Sequence, residues 1–184
     1  MTSIVLVPLK GAIVGGEVEI NLGESKDSIE KALCDALNCY PTGYYDTTEC
    51  IYSDLELKFC FCSEGKLEYI ECVAGPFPEK TKPYIYGKEV FTLPAEDLIE
   101  LLAMHNSDKR NDSLWLEHVY VFDEISVGIF REMTEIEARQ SISDNISLAN
   151  YELNKDDYER DLLKSKYFWT IGIGIEKYHS KYLQ

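Results

Sequence analysis

The stretch YFWTIGIGIEKY, residues 167–178, decides how the chain is read. Gly172-Ile173-Gly174 either opens a phosphate-binding glycine loop or lies inside a strand. A dinucleotide fingerprint needs a third glycine at position 177 and a helix starting there. The chain has Lys177 instead, followed by Tyr178 and His179. Successive side chains of a strand point to opposite faces. Tyr167, Trp169, Ile171, Ile173 and Ile175 share one parity; Phe168, Thr170, Gly172, Gly174 and Glu176 share the other. The pattern therefore predicts a closing strand over 167–178, with the first set facing the core and both glycines on the opposite face. As the last element it has no crossover helix to complete a nucleotide-binding unit. Glycine inside a strand marks a bulge or a close neighbour. The expectation is a helix packed over this smooth face, and the alternative is a partner's element laid across it.

Working outward, two pairs of segments share one offset. SKDSIEKAL (25–33) aligns with AEDLIELLA (95–103), and CIYSDLELKFC (50–60) with YVFDEISVGIF (120–130), each 70 residues apart. Ile51, Tyr52, Leu55, Leu57 and Phe59 fall on Val121, Phe122, Ile125, Val127 and Ile129, and Asp54 falls on Glu124. A repeated offset points to an internal repeat.

Each unit reads as strand, helix, strand, strand. Glu17–Leu22 alternates and predicts a strand, as does Lys88–Leu93 in the second unit. Ser25 caps a helix over Asp27–Leu37 with Ile29, Leu33 and Leu37 in line. Pro94 suits the first turn of the second helix, whose stripe is Leu98, Leu101 and Leu102. Leu55, Leu57, Phe59 and Phe61 alternate with Glu56, Lys58, Cys60 and Cys62. Ser63-Glu64-Gly65-Lys66 then turns the chain into Leu67–Val73. Gly75–Pro78 and Lys80–Pro83 read as the linker. The predicted fold is α+β: antiparallel sheet with packed helices, in a single domain over 1–184. It is built from tandem β-α-β-β units at 11–75 and 84–178, with a helical insertion at 131–166 in the second.

That insertion opens on Thr134-Glu135-Ile136-Glu137, a capping box. Ile142, Ile146, Ala149 and Leu153 keep helical spacing, and Asn154 can cap a further helix with Asp157 at its third position. From Glu132 to Asp161 nine acidic residues face three basic ones, a local charge of −6.

The whole chain is acidic. Its 184 residues carry 33 Asp+Glu against 18 Lys+Arg, a net charge of −15. Binding to a phosphate backbone needs a basic footprint, so direct nucleic-acid binding is not expected, nor binding to an anionic membrane surface. A basic partner would be attracted. The apolar run Ile4–Val7 is broken by Pro8 and Lys10, too short for a signal peptide or a span. The expected location is the cytoplasm, where the six cysteines would be free thiols.

The chain has no HExxH, GxSxG or Walker loop. No metal or cofactor is expected, since the cysteines lack knuckle spacing. His118 reads as a half-buried strand residue and His105 as a helix C-terminal cation. A Cys62–His118 nucleophile pair and the adjacent acids Asp123-Glu124 and Asp156-Asp157 are the residual enzymatic options. Tyr40, Tyr44 and Tyr45 with Asp46 form an aromatic and acidic loop of the kind used in recognition.

In size, charge and pattern the chain resembles bacterial toxin-immunity proteins of the contact-dependent growth inhibition type. The resemblance implies a non-enzymatic cytoplasmic inhibitor in tight complex with a cognate, basic toxin domain such as a nuclease. Carboxylates would take the place of substrate phosphates. The candidate partner-binding residues are Tyr44, Tyr45, Asp46, Asp123, Glu124, Glu132, Glu135, Asp156, Asp157, Glu159 and Asp161. The alternatives are an adaptor or structural interaction module, an enzyme with a Cys/His or carboxylate centre, and a nucleic-acid decoy.

Overall fold

A computed structural model describes residues 1–44, 48–112, 117–147 and 151–182 and places Thr170–Gly174 as a strand in the middle of the larger of two sheets. The chain runs through β1 (Thr2–Val7), β2 (Gly11–Val14), β3 (Val18–Asn21), α1 (Lys26–Leu37), β4 (Gly43–Tyr44), β5 (Glu49–Tyr52), β6 (Leu57–Phe61) and β7 (Leu67–Cys72). It continues through β8 (Thr81–Ile85), β9 (Lys88–Glu89), α2 (Ala95–His105), β10 (Asn111–Asp112), β11 (Val119–Phe122), β12 (Val127–Phe130), α3 (Glu135–Ser147), α4 (Lys155–Lys164) and β13 (Thr170–Gly174). The fold is α+β.

The small sheet has the order β3-β2-β1-β8-β9 and the large one β10-β11-β12-β13-β7-β6-β5-β4. Among the described residues only β1–β8 is parallel. One contiguous core joins the layers. Ile4, Leu6, Val14 and Ile20 come from the small sheet, Ile29 and Leu33 from α1, and Leu98, Ile99 and Leu102 from α2. Phe59, Ile70, Phe122, Ile171 and Ile173 come from one face of the large sheet.

From the β13–β7 pair the large sheet runs outward as β12, β11, β10 on one side and β6, β5, β4 on the other. The starts of β5 and β11, and of β6 and β12, are 70 residues apart. The hairpin turns place Glu56 (φ 49°) and Ser126 (φ 48°) alike in the left-handed region. The Phe61 N–H donates to the Thr48 carbonyl (2.6 Å), and the Arg131 N–H to that of His118 (2.9 Å).

Ser25 caps α1, its side chain accepting from the Ser28 N–H, and Asn38 ends the helix in the left-handed region. Several details differ from the sequence reading. The run Ile4–Val7 is β1, the middle strand of the small sheet. Lys80–Pro83 is not all linker: β8 starts at Thr81, and Pro83 lies in register with Ile4. The strand expected over Lys88–Leu93 stops at Glu89, giving way to a 3-10 turn over Val90–Thr92. Leu93 must be extended because proline follows it, and Pro94 is the residue before the first turn of α2. Ile99 rather than Leu101 completes the buried stripe of α2. Leu55 and Glu56 belong to the β5–β6 turn, although Leu55 is buried. Among the described residues no helix is long and apolar enough to cross a membrane.

Candidate binding surface

The glycines of β13 are filled over by the chain itself. Gly172 lies opposite Gly128 of β12, and Gly174 opposite Tyr69 of β7. The Tyr69 and Tyr178 rings stack at 4.4 Å, with His179 edge-on to both. A methyl group at Gly172 would overlap the Tyr69 hydroxyl, and one at Gly128 would sit 2.7 Å from His179. A 3-10 turn over Tyr178–Tyr182 and three rings therefore occupy the face where a packed helix was expected. This side of the central strands is spoken for.

The insertion projects as an arm. Its root is held by the capping box: the Thr134 N–H and hydroxyl each donate to Glu137 at 2.8 Å, and the Glu137 N–H donates to Thr134 Oγ1 (3.2 Å). Glu137 also meets His118 Nε2 at 3.1 Å, while His118 Nδ1 contacts the Arg131 carbonyl. These bonds, the Thr134 N–H first, hold the Glu137 carboxyl below the usual range. At the far end the Ala95 N–H donates to the Lys166 carbonyl (2.8 Å), tying the exit of α4 to the start of α2.

Beyond that root the arm buries little. Ala138 is buried, but Ile136 is 73% and Leu153 83% exposed, with Ile146, Leu163 and Phe130 also exposed. Of the residues at helical spacing, Ile142 and Ile146 lie in α3 and Leu153 ends a 3-10 turn over Tyr151–Leu153, none of them in the core, and Ala149 lies outside the described residues. Asn154 precedes α4 without a side-chain cap bond. An apolar hollow of about 430 Å³, lined by His118, Val119, Phe130 and Glu132, opens at the root.

Charge surrounds these side chains. Glu135 pairs with Arg139, Asp157 with Arg160 (2.9 Å) and Glu159 with Lys155 (3.8 Å). Arg139 draws the Glu135 carboxyl below its ordinary pKa. Glu132, Glu152, Asp156 and Asp161 make no ion pair among the described residues. Six of the candidates, Glu132, Glu135, Asp156, Asp157, Glu159 and Asp161, thus share one element with exposed apolar groups.

The other candidates lie elsewhere. Asp123 and Glu124 form the β11–β12 turn. Glu124 is committed to Ser107 and to Lys109 (2.8 Å), and its N–H to Asn106, clamping the loop after α2. The Lys109 bond, with Ser107, lowers the Glu124 carboxyl. Tyr45 and Asp46 lie outside the described residues; Tyr44 ends β4 at the far edge of the large sheet.

The structure does not bring Cys62 and His118 together. They flank β6 and β11, strands that run four strand spacings apart, about 19 Å, and they lie at opposite ends of them, Cys62 after β6 and His118 before β11. All six cysteines are free. Burial pushes Cys60 up to about 11 and Cys50 to about 12, and raises Cys72 further, opposite to the shift a nucleophilic thiol needs. Among the described residues no group of three or more His, Cys, Asp or Glu is placed to hold a metal ion. No family model, curated protein or solved structure matches the chain.

Proposed function

We propose that the protein binds a basic protein partner through the α3–α4 arm and blocks that partner's working surface, as a toxin-neutralising immunity protein does. One observation carries this reading: an acidic element, rigidly capped at its root, that leaves large apolar side chains in solvent beside unpaired carboxylates. Exposed apolar groups rimmed by charge mark interaction surfaces. Ile136, Ile146, Leu153 and Leu163 would supply the desolvated contacts that carry affinity. The carboxylates would steer association and meet Lys and Arg, occupying the places a nucleic-acid substrate's phosphates take on a nuclease. Glu124, engaged internally, holds the scaffold beside the surface rather than forming part of it.

The test is co-expression with a basic toxin domain, sought first among the genes beside this chain's own. Growth should be rescued and the two proteins should co-purify. Changing Asp156, Asp157 and Asp161 to Asn and Glu159 to Gln should weaken binding by about 1–4 kcal/mol in total, roughly 4- to 1,000-fold, from about 0.2–1 kcal/mol per exposed charge. A complex indifferent to those changes, or no complex at low salt, would overturn the reading.

A further inference from the structure

We propose that the cleft between the arm and α2 binds a small organic monocarboxylate, with Arg131 as its anchor. The cleft encloses about 590 Å³, and its walls include Glu96, Tyr120, Arg131, Ile136, Lys166 and Tyr167. Arg131 is only 7% exposed. Its Nε–H donates to the Glu117 carbonyl (2.6 Å), and the guanidinium lies 5.2 Å from the centre of the Phe168 ring. Among the described residues it forms no ion pair, and its side chain donates no other hydrogen bond. Among the described residues, neither terminal NH2 group makes a hydrogen bond or ion pair.

A buried charge is ordinarily matched by an opposite one. Seventy residues earlier the corresponding place holds Phe61, whose N–H makes the same bond to the neighbouring strand. The fold thus accepts an apolar ring at this place, and the second half puts a cation there, at a cleft wall. The planar guanidinium fork fits a carboxylate through two parallel hydrogen bonds. Lys166 adds a second cation at the rim.

The rest of the lining selects among anions. Glu96, Glu117 and Glu135 share the cleft. Arg110 reaches Glu96 at 4.0 Å, and Arg139 pairs with Glu135. With Arg131 and Lys166 the lining sets three cations against three acids, so no surplus positive charge is left to favour a phosphate dianion over a single negative charge. Tyr120, Tyr167 and Ile136 offer an apolar wall to the body of the acid. The chemistry is therefore an aromatic or branched monocarboxylate, supplied either by a free acid or by a peptide C-terminus. The cleft shares Glu135 and Ile136 with the arm, but the inference does not rest on the partner-binding reading, and its test needs no toxin.

The test titrates the 15N-labelled full chain at fixed ionic strength with benzoate, N-acetylphenylalanine, N-acetylphenylalaninamide and inorganic phosphate. Benzoate should shift the Arg131 Nε–H and the 131–135 amides saturably, with a Kd on the order of millimolar. Phosphate and the amide should bind at least tenfold more weakly. N-acetylphenylalanine binding more tightly than benzoate would identify a peptide terminus as the source; weaker binding would identify a free acid. Arg131→Lys keeps the charge, loses the fork and should weaken benzoate at least tenfold while amides of β1 and β8 stay in place. Lys166→Gln, on an exposed side chain, is the second variant and should weaken it about threefold. No saturable shift, benzoate affinity unchanged in both variants, or tighter binding of phosphate would overturn the assignment.

Discussion

At the residue scale, the arm depends on Thr134 and Glu137. Replacing Thr134 with Ala removes the reciprocal bonds and should cost about 1 kcal/mol of local stability, read as faster exchange of α3 amides. The pH dependence follows from the lowered Glu137 carboxyl. Its folded pKa lies below its unfolded one, so its contribution is complete above the unfolded value of about 4.3 and is lost as pH falls through the folded value. The α3 amides should therefore stay protected at pH 6 and lose protection below about pH 4. In Thr134→Ala this step should be much reduced. An equal step in both proteins would contradict the role given to the cap. The cysteines give a second check. Cys50, Cys60 and Cys72 are buried and held protonated, so at pH 8 the native chain should leave them unmodified by iodoacetamide, and unfolding should expose them. Rapid native labelling of Cys60 would mean that the Tyr69–Tyr178 cover opens.

At the element scale, the crowding over β13 is directly testable. Gly172→Ala should destabilise by about 1–3 kcal/mol through overpacking against Tyr69. Adding Tyr69→Ala should cost less than the sum of the two changes, because the clash is gone; additive costs in denaturant would show that the rings do not lie over the glycines. The parity of Ile171 and Ile173 was enough to make residues 170–174 a strand with its apolar face on the core, but the strand expected over 167–178 is shorter: Phe168, not Tyr167 or Trp169, is buried in the core before it, and Tyr178 begins a 3-10 turn after it. The same parity could not say what covers the glycines, since Tyr69 arrives from another strand and His179 from a turn. α1 was readable because Ser25, Ile29, Leu33 and the ending at Leu37 all agree. β8 was hidden by Pro83, which argues locally against a strand, while its partner β1 lies some 80 residues away in sequence. The arm's helices were legible from the capping box and spacing. Their exposure was not, because Ile136 and Leu153 look like any helical core positions until their surroundings are known. Arg131 escaped because it falls one residue past the aligned segment 120–130, and only its 7% exposure and the cleft single it out.

At the scale of the whole molecule, one core fastens both sheets, α1 and α2, while the arm stands on the second half, and residues 132–161 within it carry −6 of the −15 net charge. A compact scaffold with a concentrated, partly apolar acidic projection is suited to fast capture of a positively charged surface. The most direct test is the association rate with the proposed basic partner, measured as salt is raised from about 0.02 to 0.3 M, where the screening length shrinks to several ångströms. The rate should fall at least tenfold over that range, with a much flatter dependence when Asp156, Asp157, Glu159 and Asp161 are neutralised. A rate independent of salt, or a slope unchanged by neutralising the arm, would contradict it.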